Sequence, residues 1–183
     1  MSAMQRPVLT ILIVLVCAAS LQALAVSQKS ELKFTVPTGW VDEPRSSSMR
    51  VAQYKLPKAA ADSDDASLVV YYFGQGQGGS TAANVERWVG QMKQADGKAA
   101  KDAKEEHFET NGLKVTTVDV SGTYVAETAP GSGTFLNKPG YRLRGAVIET
   151  ANGPYFVKLV GPEKTVAQWN ESFVSYLKSF ELK

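Results

Sequence analysis

Residues 68–73 read Leu-Val-Val-Tyr-Tyr-Phe, and residues 74–81 continue as Gly-Gln-Gly-Gln-Gly-Gly-Ser-Thr. A run of β-branched, aliphatic and aromatic residues that stops at a glycine cluster predicts a strand buried on both faces of a sheet. Ser80 or Thr81 can cap a helix after the glycines, and Gly97 can end it. The apolar face of this predicted helix is formed by Val85, Trp88, Val89 and Met92.

The other predicted elements follow from alternation and turn chemistry. Further strands are predicted at residues 32–36, 49–56, 106–110, 113–124, 141–149 and 155–160. Asn111-Gly112 predicts a tight hairpin turn, and Pro162 suits the first turn of a second helix. The apolar stripe of that helix is Val166, Trp169, Phe173, Val174, Leu177 and Phe180. Because turn-linked strands pair antiparallel, this order predicts an α+β fold, with one antiparallel sheet of about six to seven strands and helices packed on it.

The aromatic residues fit this sheet. Tyr71 and Tyr72 are adjacent in a strand, so we expect them to face opposite sides of the sheet. Core packing explains Trp40, Trp88 and Trp169 better than ligand stacking does.

Composition limits the function classes. The chain has 183 residues, 44% of them hydrophobic, which suits one domain with a real core. A formal net charge of +2 gives no electrostatic field for nucleic acid. The single cysteine, Cys17, excludes an internal disulfide, and the single histidine, His107, leaves few ways to build a zinc site. We expect no cofactor.

Residues 1–25 are predicted to be a secretory signal peptide. One basic residue, Arg6, precedes an apolar run at residues 8–19, and Ala23-Leu24-Ala25 offers small residues to a signal peptidase. Cleavage near Ala25 would release a periplasmic or secreted domain of residues 26–183. An uncleaved segment acting as a membrane anchor is the alternative; a lipoprotein site at Cys17 is disfavoured by the bulky Val16 before it.

Short motifs at both ends of this domain suggest a family. The first is Phe34-x-x-Pro37-x-Gly39-Trp40, and the second combines Gly161-Pro162, a helix with Trp169, and Ser179-Phe180. Together they resemble the PsbP-like domains, which include the extrinsic protein of photosystem II. The resemblance covers about residues 30–183 and implies an α/β/α-sandwich fold used as a protein-binding scaffold. Because the motifs are short and apolar, the resemblance predicts the fold of this chain but not a role in a photosystem.

Two motifs could indicate ligand chemistry. Gly74-x-Gly76-x-x-Gly79 matches the dinucleotide fingerprint, but the strands before it look antiparallel and no acidic residue ends a second strand at the required distance. Asp62, Asp64 and Asp65 resemble part of a calcium loop that lacks its glycine and its final glutamate. A flexible loop and a solvated acidic turn are the favoured interpretations.

The sequence shows no catalytic set. His107 lies in a charged segment, and no nucleophile elbow occurs. We therefore predict an exported, non-enzymatic binding or scaffold domain that engages a protein or envelope partner. The candidate partner-binding residues are Gly76, Gln77, Arg142 and Arg144, in or beside the loops at 74–80 and 125–140. The alternative is a small-molecule carrier or a hydrolase with a pocket between the sheet and the helices.

Overall fold

Strand β4 (Ala66–Tyr72) lies inside an antiparallel sheet, as the run at 68–73 predicts. The computed structural model describes residues 32–94, 96–129 and 131–183, so the predicted signal peptide at 1–25 lies outside the described residues. The other strands are β1 (Leu32–Lys33), β2 (Val41–Asp42), β3 (Arg50–Leu56), β5 (Met92–Lys93), β6 (Lys104–Thr110), β7 (Leu113–Tyr124), β8 (Lys138–Glu149), β9 (Tyr155–Pro162) and β10 (Glu181–Leu182). The helices are α1 (Thr81–Gly90), α2 (Glu163–Gln168) and α3 (Asn170–Lys178).

The main sheet has eight strands in the order β2-β3-β4-β9-β8-β7-β5, with β6 also paired to β7. The α+β prediction is confirmed, whereas the count of six to seven strands is too low. The short strand β2 was not among the predicted strands, and β5 was expected to belong to the first helix. Conversely, the strand predicted at 32–36 shrinks to β1 and pairs with β10 outside the main sheet, because Phe34 packs on Tyr176 and Phe180 of the C-terminal segment.

Both faces of this sheet are covered. Helices α2 and α3 bury Val166, Phe173, Tyr176 and Leu177 against one face. Helix α1 buries Val85 and Trp88 against the other face. Tyr72 packs into the first core and Tyr71 into the second, which confirms their expected opposite orientations. The sheet is therefore a middle layer between helices.

Helix boundaries differ from the sequence predictions. Ser80 caps α1 as expected, and its hydroxyl accepts a hydrogen bond from the Ala83 amide. However, α1 ends at Gly90 instead of Gly97, because Met92 and Lys93 pair with Tyr124 and Thr123 of β7. The second helix is divided at Trp169, whose indole nitrogen donates to the Pro57 carbonyl and so ties this point to another loop.

The predicted hairpin at Asn111-Gly112 is confirmed. Asn111 and Gly112 have φ angles of 48° and 76°, the left-handed pair that a two-residue turn requires. The Asn111 amide also donates to the carbonyl of Phe180, so the turn is tied to the C-terminal segment. This hairpin fixes the register of β6 on β7.

We expect Gly145→Ala to lower the free energy of unfolding by about 2 kcal/mol, because an added Cβ would lie 2.3 Å from the Trp88 ring that fixes α1 on the sheet. Gly90→Ala is the matched control, since nothing lies within 4 Å of its added Cβ. Urea unfolding followed by tryptophan fluorescence measures both variants. Equal stabilities for the two variants would contradict this packing of α1.

Candidate functional site

Lys158 occupies an unusual position at the centre of the sheet. It lies on β9, directly opposite Val69 of β4 and Gly145 of β8, on the face that α1 covers. The other side chains of this face form a buried apolar cluster that includes Trp88, Val118, Leu143, Val147 and Phe156. A lysine in such surroundings loses much of its hydration, which is costly for a charged group.

The partners of Lys158 are neutral. Its ammonium group donates to Gln91 Oε1 at 2.6 Å and to the Tyr124 hydroxyl at 2.9 Å, and it lies 4.9 Å from the centre of the Tyr124 ring. Among the ion pairs of the described residues, none includes Lys158 or Arg87. Burial, with a smaller contribution from the positive charge of Arg87, lowers the pKa of Lys158 to about 8.

Aromatic side chains line a cavity beside this ammonium group. A cavity of about 170 Å³ lies between the sheet and α1, lined by Tyr71, Phe73, Arg87, Trp88, Gln91, Phe156 and Lys158. The rings of Tyr71 and Phe73 are parallel, with centroids 5.9 Å apart, because the two residues are two positions apart along the chain and share a face. The pocket, named here the Lys158 pocket, thus has apolar walls and cationic groups.

Helix α1 supplies one side of the Lys158 pocket. Trp88 anchors the helix against Gly145, where only a glycine leaves room for the indole ring. Arg87 lies in the last turn of α1 and donates to the side chain of Asn84, while Gln91 follows the helix directly. Burial of Tyr124 raises the pKa of its phenol to about 12, so this group stays neutral beside Lys158.

The predicted binding residues are not part of this pocket and are far from one another. Gly76 and Gln77 are exposed in the glycine loop, whose Gln75 contacts Gly153 in the turn between β8 and β9. Arg142 lies near the other end of β8, opposite Gly161. Glu149, at the turn, is seven positions along β8 from Arg142, a distance of roughly 23 Å. The two predicted surfaces therefore do not form one site.

Arg142 and Arg144 share a face, as predicted, but both have internal partners. Arg142 Nε donates to Asp119 Oδ1 at 2.7 Å, and its Nη2 donates to Oδ2 of the same carboxylate. Arg144 lies beneath α3, where Nη1 donates to Asn170 Oδ1 at 2.5 Å and the guanidinium lies over the Phe173 ring. Its Nε is 3.4 Å from Asp119 Oδ2 without forming a hydrogen bond. Burial lowers the pKa of Arg144, while hydrogen bonding to Asp119 raises that of Arg142.

The other motifs have local structural roles. Asp62 accepts hydrogen bonds from the amide and hydroxyl of Thr165 in α2, and Asp64 accepts from Tyr141 and Lys138. In the described part of the chain, no group of three or more potential ligands could hold a metal ion. At the start of α1, where the dinucleotide fingerprint would place a phosphate, Glu149 accepts a hydrogen bond from Thr81. This carboxylate would repel a phosphate.

His107 is an exposed residue of the edge strand β6. Its Nδ1 lies 3.0 Å from Thr116 Oγ1, and its Nε2 lies 3.5 Å from Glu105. A shallow concavity of about 480 Å³, on a part of the sheet that α1 leaves uncovered, includes His107, Glu109, Lys114 and Glu149. Because this surface carries charges of both signs and no enclosing walls, it is a weaker candidate than the Lys158 pocket.

Sequence reasoning missed Lys158, although a signal was present. Residues 155–160 read Tyr-Phe-Val-Lys-Leu-Val, so a single lysine interrupts a run that is otherwise apolar on both faces. Such a lysine in a central strand must lie in or beside the core. Arg87 and Gln91 carried no comparable signal, because charged and polar residues are common on an exposed helix face.

Comparisons with known proteins show the fold alone. No protein-family model matches the chain, and no curated protein sequence matches it. Its structure is similar to that of LpqN, a protein involved in cell envelope biogenesis of Mycobacterium tuberculosis, with a TM-score of 0.51, 9% identity and 84% of each chain covered. A Pseudomonas aeruginosa protein of unknown function matches with a TM-score of 0.46 and 12% identity, covering 81% of this chain and 94% of that one. The PsbP-like resemblance is not confirmed by these matches and stays a prediction.

The helices in the described residues are all too short or too polar to cross a membrane.

We expect Lys158→Met to raise the free energy of unfolding by about 1 kcal/mol at pH 7, because it removes a poorly hydrated cation at the cost of two hydrogen bonds. The lowered pKa means that the unfolded chain binds more protons than the folded chain between pH 8 and the usual lysine pKa of about 10.4. The loss of stability that the charged Lys158 causes in the wild-type protein is therefore present in full below pH 8 and is absent above about pH 10. Urea unfolding at both pH values tests this; a Lys158→Met variant less stable than wild type at pH 7 would contradict it.

We expect Asp119→Asn to lower the free energy of unfolding by about 2 kcal/mol, since it leaves two partly buried guanidinium groups without their carboxylate. Asp96→Asn is the control, because Asp96 pairs with Lys98 at an exposed position and should change stability by less than about 0.5 kcal/mol. The same urea measurement compares them. Equal effects would mean that Asp119 contributes no more than a surface ion pair.

Proposed function

We propose that the chain is a non-enzymatic binding domain of the cell envelope, which holds a small anionic ligand in the Lys158 pocket. The observation that carries this proposal is the pair of positive groups, Lys158 and Arg87, in an aromatic cavity where neither forms an ion pair within the described residues. The poorly hydrated ammonium group of Lys158 costs stability, whereas the exposed Arg87 does not, and an anion would offset the cost of Lys158. Groups that reduce stability in a cleft are typical of functional sites.

The contents of the pocket support binding over catalysis. The residues that line the cavity include no serine, cysteine, histidine or carboxylate, so the lining offers no nucleophile with a base beside it. His107 lies on β6, outside the cavity lining. The other face of the sheet is filled by the side chains of α2 and α3. This arrangement fits the carrier alternative better than the hydrolase alternative.

Export to the cell envelope is the second part of the proposal. The predicted signal peptide at 1–25 supports it, and so does the fold similarity to a protein that functions in envelope biogenesis. Cleavage near Ala25 would leave a soluble domain in the periplasm or outside the cell, whereas an uncleaved leader would keep the domain at the membrane.

A protein partner is a second candidate function, supported by one surface feature. Phe135 is 63% exposed at the end of a short hairpin in which Glu127 and Phe135 are bridged. This hairpin lies in the predicted binding loop at 125–140. An exposed aromatic residue on a loop is typical of protein contacts. Gly76 and Gln77 are exposed in the other predicted loop and remain candidates for the same role.

Native mass spectrometry of the full chain, purified from the envelope fraction of its own host, tests the ligand proposal. We expect wild-type protein to carry a small ligand that Lys158→Met loses, because the ammonium group supplies the main attraction for an anion. Lys114→Met removes an exposed lysine on the same sheet face and should retain the ligand. Equal ligand occupancy in all three proteins, or no ligand in any, would contradict the proposal.

A further inference from the structure

The Lys158 pocket has the size of a single ring. Its volume of about 170 Å³ is well below that of a typical drug-binding site, about 300–1,000 Å³. An apolar cavity of about 150 Å³ is known to hold one benzene molecule. The walls suit such a ligand, because the parallel rings of Tyr71 and Phe73 line the cavity, and Phe156 is tilted against Phe73 with ring centroids 5.6 Å apart. A flat, ring-sized body therefore fits both the space and the lining.

The hydrogen-bonding capacity of the pocket indicates an anionic group of low charge. An ammonium group has three donors, and two of those on Lys158 are already used by Gln91 and Tyr124. Arg87 lies nearby and uses one of its donors on Asn84. One free ammonium donor and the remaining guanidinium donors can satisfy the two oxygens of a carboxylate. A phosphate dianion presents three strong acceptor oxygens instead of two, so the same donors would satisfy it less completely.

The position of the pocket at the C-terminal end of α1 also favours a ligand of low negative charge. Arg87 and Gln91 lie at the C-terminal end of the helix, where the backbone carbonyls give partial negative charge. This end of a helix favours cations and disfavours anions in proportion to their charge, so it opposes a singly charged carboxylate less than a phosphate dianion. Known phosphate sites at helices use the opposite end, where backbone amides point outward.

We infer that the ligand of the Lys158 pocket is a small aryl carboxylate, with its ring against Tyr71 and Phe73 and its carboxylate between Lys158 and Arg87. This inference rests on the proposed function and specifies the ligand class. The aromatic wall selects the flat ring, and the two cations select a carboxylate over a neutral group. A neutral analogue of the same shape would leave both cations without a partner, and should bind much more weakly.

Titration calorimetry of the full chain with three probes tests the inference: benzoate, its neutral analogue benzamide, and inorganic phosphate. We expect benzoate to bind at least about tenfold more tightly than either of the others, because only benzoate combines a ring with a carboxylate. Lys158→Met and Arg87→Gln should each weaken benzoate binding by at least about tenfold. Lys114→Met should leave benzoate binding unchanged within about twofold, because Lys114 is exposed and does not line the pocket, so solvent screens its charge. Arg87 is exposed, so its variant is expected to fold even if a change at Lys158 disturbs the core.

The negative results of these experiments would exclude different parts of the proposal. If benzoate binds no better than benzamide or phosphate, or binds equally to Lys158→Met, the aryl carboxylate assignment is wrong. Should a host-derived ligand nevertheless depend on Lys158 in the native mass measurement, the proposed anion-binding function stands with another ligand class. If neither the probes nor a host-derived ligand depend on Lys158, both the inference and the proposed function fail.

Discussion

The burial of both faces of the central strands is the constraint on which this structure depends. Strands β4, β9 and β8 carry apolar side chains on each side, so the sheet is stable in water only when helices cover both faces. Helices α2 and α3 cover one side. On the other side, α1 is the one helix among the described residues, and it has only ten residues. The Lys158 pocket lies at the C-terminal end of α1, where Arg87 and Gln91 line it.

The contact that positions α1 also creates the pocket. Gly145 on β8 leaves room for the Trp88 indole, and this close approach fixes the helix above β7 and β8. Lys158 lies directly beside Gly145 in the sheet, so its ammonium group is held under the edge of α1 instead of reaching solvent freely. The same packing that excludes water therefore removes hydration from the lysine, lowers its pKa, and makes it receptive to an anion.

Most of the fold could be predicted from local sequence patterns, because strand alternation and turn chemistry are local properties. Strand β7 and the turn at Asn111-Gly112 were predicted at the right positions, and Ser80 was one of two predicted caps for α1. The errors arose where tertiary pairing decides the structure: β5 takes residues from the predicted helix because β7 offers it a partner. The site was missed for a related reason. Arg87 and Lys158 are 71 positions apart in the chain, and only the packing of α1 on the sheet brings them together.

The most direct test of the Lys158 pocket is the pKa of the Lys158 ammonium group. NMR on selectively labelled lysine measures this pKa with and without saturating benzoate. Lys158→Met identifies the resonance. The account predicts a pKa near 8 in the free protein, which rises by at least about one unit when the carboxylate binds, because a bound anion favours the charged lysine. An ordinary lysine pKa in the free protein, unchanged by benzoate, would show that Lys158 is a solvated surface residue and would contradict the account.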